Sequence, residues 1–386
     1  MSYIEDQDQW WFSGIFRSVQ LFSRPSLFIQ DYEITSKLEC GEEGKYNQAR
    51  VTVEVSLVGK ITNTTSLTVM LYNDYHASIQ NPDYLPSKTT TASLASLSSN
   101  LSSDHSEEKY TFNLSISNPK LWSCEDPYLY RIVLCLGGGD NINTNQYESC
   151  RVGLINVCIE GGILKVNGER IVIRGVNRHE HHPILGKAVD EDSMIKDVLL
   201  MKQHHFNAVR TCHYPNADRF YEICTEYGLY VCDEANIETH GDTYFPIVPM
   251  VPSSRLANDP WWREVWMSRI IRMVERDKNY PSIIFWSLGN ESGAGFNTRA
   301  QYNWVKKRSP QRLVQYEGGG SPDNVSDVWA PMYSTVAEVL ARASNTQEKR
   351  PLIMCEYTHA MGNSNGYIIT IYQILYNYLF TIYHIK

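Results

Sequence analysis

The sequence predicts a multidomain β plus α/β protein, an immunoglobulin-like β-sandwich followed by an incomplete (β/α)8 TIM barrel. Two observations predict it. Between residues 25 and 156 apolar side chains recur at every second position, and after Gly161-Gly162 that rhythm gives way to short apolar runs alternating with helical stripes. Period two marks strands with one face in a core, whereas a strand–helix repeat marks a parallel sheet wrapped by helices. A third observation adds to these: the later apolar runs end in polar residues, as strands do at the carboxyl rim of a barrel.

Three segments follow, 1–24, 25–158 and 159–386. The first carries Trp10-Trp11-Phe12-Ser13-Gly14-Ile15-Phe16-Arg17 and then a strand-like Ser18-Val19-Gln20-Leu21-Phe22. It is too short for a domain and reads as the tail of one whose beginning is absent. In the second, Val51, Val53, Val55 and Leu57 alternate with Thr52, Glu54 and Ser56. Leu67, Val69 and Leu71, then Tyr110, Phe112, Leu114 and Ile116, then Tyr130 to Leu134, continue the pattern of a small sandwich. The Ser/Thr-rich stretch from Ser87 to Ser106 reads as a floppy loop inside it.

The third segment opens on Arg170 to Val176 as barrel strand one. A helix with Ile195, Val198, Leu199 and Lys202 on one side follows Asp190 and Asp192. Phe206 to Arg210 is strand two, and the helix with Phe220, Cys224 and Tyr227 stops at Gly228, a suitable residue just past a helix end. Leu229 to Glu234 is strand three. Asp259-Pro260 opens the helix carrying Trp266, Ile270, Met273 and Val274, a cap residue followed by a first-turn proline. Ser282 to Leu288 is strand four, apolar enough to be buried on both faces. Leu313 to Tyr316, Val328 to Pro331 and Leu352 to Cys355 are strands five to seven; an eighth is not visible. Residues 367–386 form an atypical apolar tail. Gln373, Asn377, His384 and several threonines set it apart from a membrane span, so it reads as a core helix of an incomplete barrel or a foreign tail.

Composition excludes some functions. A net charge of −8 argues against a nucleic-acid groove and against an acidic membrane surface. No nucleic acid and no membrane partner are expected. Nine cysteines, scattered without metal spacing, read as free thiols. The polar, acidic start Met1 to Asp6 is no secretory signal, which taken at face value makes the chain cytoplasmic. The abundant aromatic residues suit stacking on sugars but equally suit large cores.

The chemistry gathers at the strand ends. Strand one ends in Asn177-Arg178-His179-Glu180-His181-His182, strand two in His213-Tyr214, and strand three in Glu234, followed by Glu238-Thr239-His240. Strand four ends in Asn290-Glu291, strand six in Tyr333 and strand seven in Glu356-Tyr357-Thr358-His359. Glu291 by itself could as well cap the next helix. Paired with Glu356 across a barrel mouth it has what glycoside hydrolysis needs: a protonated carboxyl to help the leaving oxygen depart, and a carboxylate to attack or to activate water. A separation of about 5–5.5 Å would make the reaction retaining. Glu238 and His240, two apart in an extended segment, point to one face. With a third carboxylate they could hold Mg²⁺ or Mn²⁺, and a salt bridge explains them as well. The cluster His179 to His182 suggests zinc but lacks the helical spacing of a metalloprotease.

Six runs together resemble glycoside hydrolase family 2, and within it the bacterial β-galactosidase branch. They are Gly175 to Pro183 (GVNRHEHHP), Asn207 to Gly228, Asp233 to Gly241, Asp277 to Gly293, Val314 to Gly320 and Cys355 to Ser364. The resemblance implies Glu291 as acid/base and Glu356 as nucleophile. It implies an active-site Mg²⁺ on Glu238, His240 and Glu291, and Asn290 bonding the sugar's 2-hydroxyl. It further implies Asp8 contacting sugar and Na⁺ from the end of a jelly-roll domain. His179, His213 and His359 would hold galactosyl hydroxyls or stabilise the transition state, and Tyr333 would stand beside the nucleophile. The implied reaction is hydrolysis of terminal β-D-galactose from lactose-like β-galactosides. β-Glucuronidase, β-mannosidase and an inactive carbohydrate-binding fragment are the alternatives. Full-length members are expected to form homo-oligomers. Most of the jelly roll and everything after about Gly366 depart from the family pattern, so a fragment of a longer protein is expected.

Overall fold

Apolar side chains at alternate positions build two facing antiparallel sheets. The computed structural model describes residues 2–359 apart from 11, 13, 42–44, 63, 82, 95–106, 138–144, 241–253 and 346. One sheet orders Phe28–Cys40, Tyr46–Val58 and Glu107–Ser117; the other orders Lys88–Ser93, Ser66–Tyr72, Tyr130–Gly137 and Gln146–Val152. Val53 pairs with Ile34 on one side and Phe112 on the other, and Val69 with Thr90 and Leu134. These registers turn Val51, Val53, Val55, Leu67, Val69 and Leu71 wholly inward into one core. Each such side chain contributes roughly 1.5–3 kcal/mol by leaving water.

Three expectations for these first segments change. Lys88–Ser93, expected within a loop, is an edge strand, since its β-branched threonines suit a pleated edge; 95–106 lie outside the described residues. A helix, Tyr75–Gln80, interrupts the strands, with Asp74 accepting from the Ala77 N–H at 2.9 Å. Six residues are too few to show a helical period. Ser18 to Phe22 enters no ladder, and Val19 and Leu21 stand exposed.

A parallel sheet follows in the order Gly175–Asn177, Ala208–Arg210, Tyr230–Glu234, Ile283–Ser287, Leu313–Gln315. The predicted strands six and seven pair with each other through isolated parallel bridges, Trp329 to Leu352 and Met332 to Glu356. Strand one is shorter than expected. Glu169–Arg170 instead completes an antiparallel meander with Val157–Glu160 and Ile163–Val166. The next residues need no ladder, because the Asn207 amide serves them: Oδ1 accepts from Arg174 N at 2.8 Å and Nδ2 donates to Val172 O at 2.9 Å. The tail 367–386 lies outside the described residues.

The helices cover this sheet much as expected. Glu191–Gln203, capped by Asp190, buries Met194, Val198 and Met201, whereas Leu199 faces solvent. Lys202 Nζ donates to Cys124 O and Gly228 O, tying the helix to the sandwich. Asp218–Tyr227 ends at Gly228, whose φ of +74° and 2.5 Å clearance from Cys124 O leave no room for a side chain. Arg263–Asp277 buries Trp266, Ile270, Met273 and Val274. Buried Trp122 donates to Thr225 O, and Lys278 pairs with Asp31 at 2.8 Å, so the sandwich is docked on the barrel helices. Beneath the strand tips lies a cavity of about 450 Å³ walled by apolar residues such as Ile173, Ala208, Ile284 and Val328. Among the described residues no helix is long and apolar enough to cross a membrane.

Candidate active site

The parallel sheet carries its strand ends to one rim, and there most of the predicted polar residues meet. The N-terminal segment reaches the same place. Ile4 is buried in the barrel core, Glu238 N donates to Ile4 O at 3.0 Å, and Asp6 N donates to Glu238 O at 3.1 Å. That short pairing brings Asp8 to His240, with Oδ1 3.5 Å from Nδ1.

Glu356 is surrounded by donors. Arg210 Nη1 donates to its Oε1 at 2.9 Å, the Tyr333 hydroxyl donates to Oε2, and His213 Nε2 lies 3.7 Å from Oε1. The same guanidinium donates to Glu234 at 2.6 Å and to Asn290 Oδ1 at 2.8 Å. Glu234, fully buried, accepts from Arg210, His213 and Ser287. Burial pushes its carboxyl up, but Arg210 and His213 more than offset this and hold it below the usual carboxylate range. With Oδ1 engaged by Arg210, Asn290 is left with Nδ2 as its donor.

The other side of the mouth is acidic. Glu238 is completely buried, and neither carboxylate oxygen meets hydrogen-bond geometry with any described partner, although the Asn290 amide lies close enough to ease the charge. Burial first, then Glu291, Glu234 and Asp8, push it up to about 9. His240 Nε2 lies 3.4 Å from Glu291 Oε2. Glu291 is itself raised, by burial against the pull of His240 and with the help of the Glu356 charge. It does not cap the next helix, which starts at Phe296 with Gly295 in the cap position. Its φ is +33°, and Tyr333 and Thr358 also adopt left-handed backbone, at +49° and +46°. Such conformations cost roughly 1–3 kcal/mol each and collect at functional sites.

The remaining candidates divide. His179 is half-buried at a ring distance of 5.5 Å from His213, and burial lowers it to about 4, with His213 adding to the shift. His359 is exposed and touches the site only edge-on to Tyr333, 6.3 Å between ring centroids. The run His179 to His182 disperses. Glu180 binds Arg17 and the Ala217 N–H, His181 stacks on Phe12, and His182 Nδ1 accepts from Ile184 N and Leu185 N. His179 instead shares a corner with Cys212 and His213. Two residues without an assigned role in the sequence prove central to the geometry, Arg210 and Glu317. Arg210 is signalled by a charge ending an apolar strand. Glu317, at the end of strand five, accepts from the Glu291 N–H at 2.7 Å.

Asp8, Glu238 and His240 bring ligand atoms within 4.8 Å of one another. Two buried carboxylate oxygens without partners, beside a further carboxylate and an imidazole, suit a hard divalent cation.

Comparison with known proteins shows the family. Residues 157–383 match the model of the glycosyl hydrolases family 2 TIM barrel domain, and 27–154 match the glycosyl hydrolases family 2 model. The chain is 46% identical over 376 residues to a β-galactosidase of Vibrio cholerae and 45% identical over 391 residues to one of Vibrio vulnificus. In each case 95% of this chain is covered. The chain spans about a third of the relatives' length, 35% and 34%. Among solved structures, a β-D-glucuronidase of Dictyoglomus thermophilum superimposes with a TM-score of 0.66 at 20% identity, covering 88% of this chain and 56% of that one. A putative β-galactosidase of Bacteroides fragilis gives 0.66 at 18%, covering 87% and 49%. At such identities these two speak for the fold alone.

Proposed function

The chain belongs to glycosyl hydrolase family 2, and on that premise we propose that it removes terminal non-reducing β-D-galactose from β-galactosides by a retaining double displacement. The observation that carries this reading is the contrast between the two rim carboxylates, one held by donors and one raised towards its protonated form. The first suits a nucleophile and the second a general acid.

In the first step a Glu356 oxygen attacks the anomeric carbon as the bond to the aglycone oxygen breaks, and the Glu291 proton passes to that oxygen. In the second, Glu291 takes a proton from water, the water oxygen bonds to the anomeric carbon, and the ester to Glu356 breaks. Arg210 and Tyr333 hold Glu356 in place before attack and donate to it as it leaves. Asn290 Nδ2 donates to the sugar's 2-hydroxyl. Glu234 holds His213 through Nδ1, which turns Nε2 towards Glu356 and the sugar hydroxyls, with His179, neutral, beside it. His359 and Asp8 would contact the sugar from the edges of the site.

Glu238, His240 and Glu291, with Asp8 in the same cluster, would hold Mg²⁺ or Mn²⁺. Such an ion, when bound, would offset the crowded carboxylates and orient Glu291. Asp8 is also the residue for Na⁺. Nine unpaired cysteines support a cytoplasmic setting.

The test is a panel of nitrophenyl glycosides. Turnover of the β-galactoside, with little of the β-glucuronide or β-mannoside, is the expected result. Preference for either of the others would move the specificity, and turnover of none would leave a carbohydrate-binding fragment.

A further inference from the structure

We propose that Glu317 is a positioning residue for Glu291, its carboxylate fixing the turn that aims the acid/base across the barrel mouth. The inference rests on the reading of Glu291 as acid/base. Strand five lies next to strand four in the sheet, and the two residues after its Leu313–Gln315 ladder both reach the Glu291 turn. Glu317 Oε1 accepts from the Glu291 N–H at 2.7 Å, and the Tyr316 hydroxyl donates to Gly293 O at 2.7 Å. The turn is thus held at both ends, by two consecutive residues of the neighbouring strand.

The turn needs holding. Glu291 has φ of +33° and Gly293 +64°, and a glutamate does not keep a left-handed backbone without support from its surroundings. The local sequence permits a close approach. A Cβ on Gly318 would lie 2.4 Å from the Tyr316 ring, and one on Gly319 would lie 2.6 Å from the Ala294 Cβ. Glycine at both positions lets 316–319 pack against 291–294.

Glu317 itself is set for this one contact. It is 7% exposed, and its Oε2 has no hydrogen-bond partner among the described residues. Its backbone carbonyl accepts from Gly320 N and Ser321 N, which fixes the side chain's origin. A buried carboxyl oxygen 2.7 Å from a backbone amide pins that amide.

Two measurements on the full chain test the idea. Hydrogen–deuterium exchange over residues 283–293 should show the Glu291 amide exchanging at least about tenfold faster in Glu317→Ala, and restored in Glu317→Gln, which keeps an acceptor oxygen. Unchanged exchange in Glu317→Ala overturns the proposal whether or not the chain is active. In kinetics, Glu317→Ala should lower kcat for an alkyl galactoside about 100-fold while costing a dinitrophenyl galactoside under about fivefold, because only the poor leaving group needs the proton. Glu317→Gln should stay within about threefold on both. Equal losses on both substrates would mean a general structural role and overturn the proposal. If Glu317→Ala does not fold, Glu317→Asp, one methylene short of the amide, should give the same pattern in weaker form. Absence of turnover in the unaltered chain would count against the proposed function, and the exchange result would still decide the role of Glu317.

Discussion

On one side of the barrel mouth Glu356 is met by a guanidinium, a phenol and an imidazole; on the other Glu291 shares its surroundings with Glu238, Asp8 and one imidazole. Glu291 follows a strand of the parallel sheet and Glu356 a parallel bridge beside it, and both belong to turns with left-handed backbone nearby. What separates them is supplied by other strands. Strand two gives the first half Arg210 and His213. The segment after strand three and the N-terminal pairing give the second half its acids. The same side chain therefore meets donors in one place and acids in the other, according to which neighbours the topology brings.

The largest expected effect comes from removing the hub of the donor side. Arg210 is buried and bonded to Glu234, Glu356 and Asn290 at once. Arg210→Met would leave two buried carboxylates without their cation, which should cost about 3–5 kcal/mol in chemical denaturation. Activity should fall with it, and an unchanged midpoint would break the contrast between the two sides. On the acidic side, Glu238→Gln replaces a buried carboxyl group whose oxygens have no hydrogen-bond partner among the described residues. The variant should be as stable as the original without divalent cations or more so, yet should bind Mg²⁺ about 10- to 100-fold more weakly by calorimetry. Equal Mg²⁺ affinity would show that the acidic half is not a cation site.

A smaller effect tests the burial of His179. Its native value near 4 lies below its ordinary 6.5, so between these pH values the unfolded chain binds more protons than the folded one. Stability contributed by the neutral ring is present above pH 6.5 and is lost as pH falls towards 4. His179→Asn should flatten the decline of thermal stability across that window. A decline of the same slope in the variant would place the acid-sensitive group elsewhere.

Much of this architecture is legible in the sequence because burial leaves a rhythm. Val51 to Leu57 alternate and are found alternating, and Trp266, Ile270, Met273 and Val274 form the buried face their spacing predicts. Polar residues closing apolar runs mark Glu291 and Glu356, since a buried strand tolerates charge only where it ends. What stays hidden depends on contacts between distant segments. Ile171 to Arg174 looks like a strand, but the Asn207 amide meets its backbone groups without a ladder. Leu199 is apolar and stands exposed, while Met194 and Met201, not singled out by spacing, face the core. Ser18 to Phe22 has strand composition but no partner among the described residues. Arg210 acquires its role through residues 24, 80 and 146 positions away along the chain and Glu317 through one 26 away, and no local pattern records such distances.

Trapping the covalent intermediate tests the central claim most directly. The chain is incubated with an activated 2-fluoro-galactoside, which forms the glycosyl-enzyme and then turns over slowly, and the digest is read by mass spectrometry. The donor-held carboxylate predicts one added fluorogalactosyl group, on the peptide containing Glu356, suppressed by free galactose. A label on Glu291, or none on a folded chain that still hydrolyses galactosides, would contradict the assignment of nucleophile and acid to the two sides of the mouth.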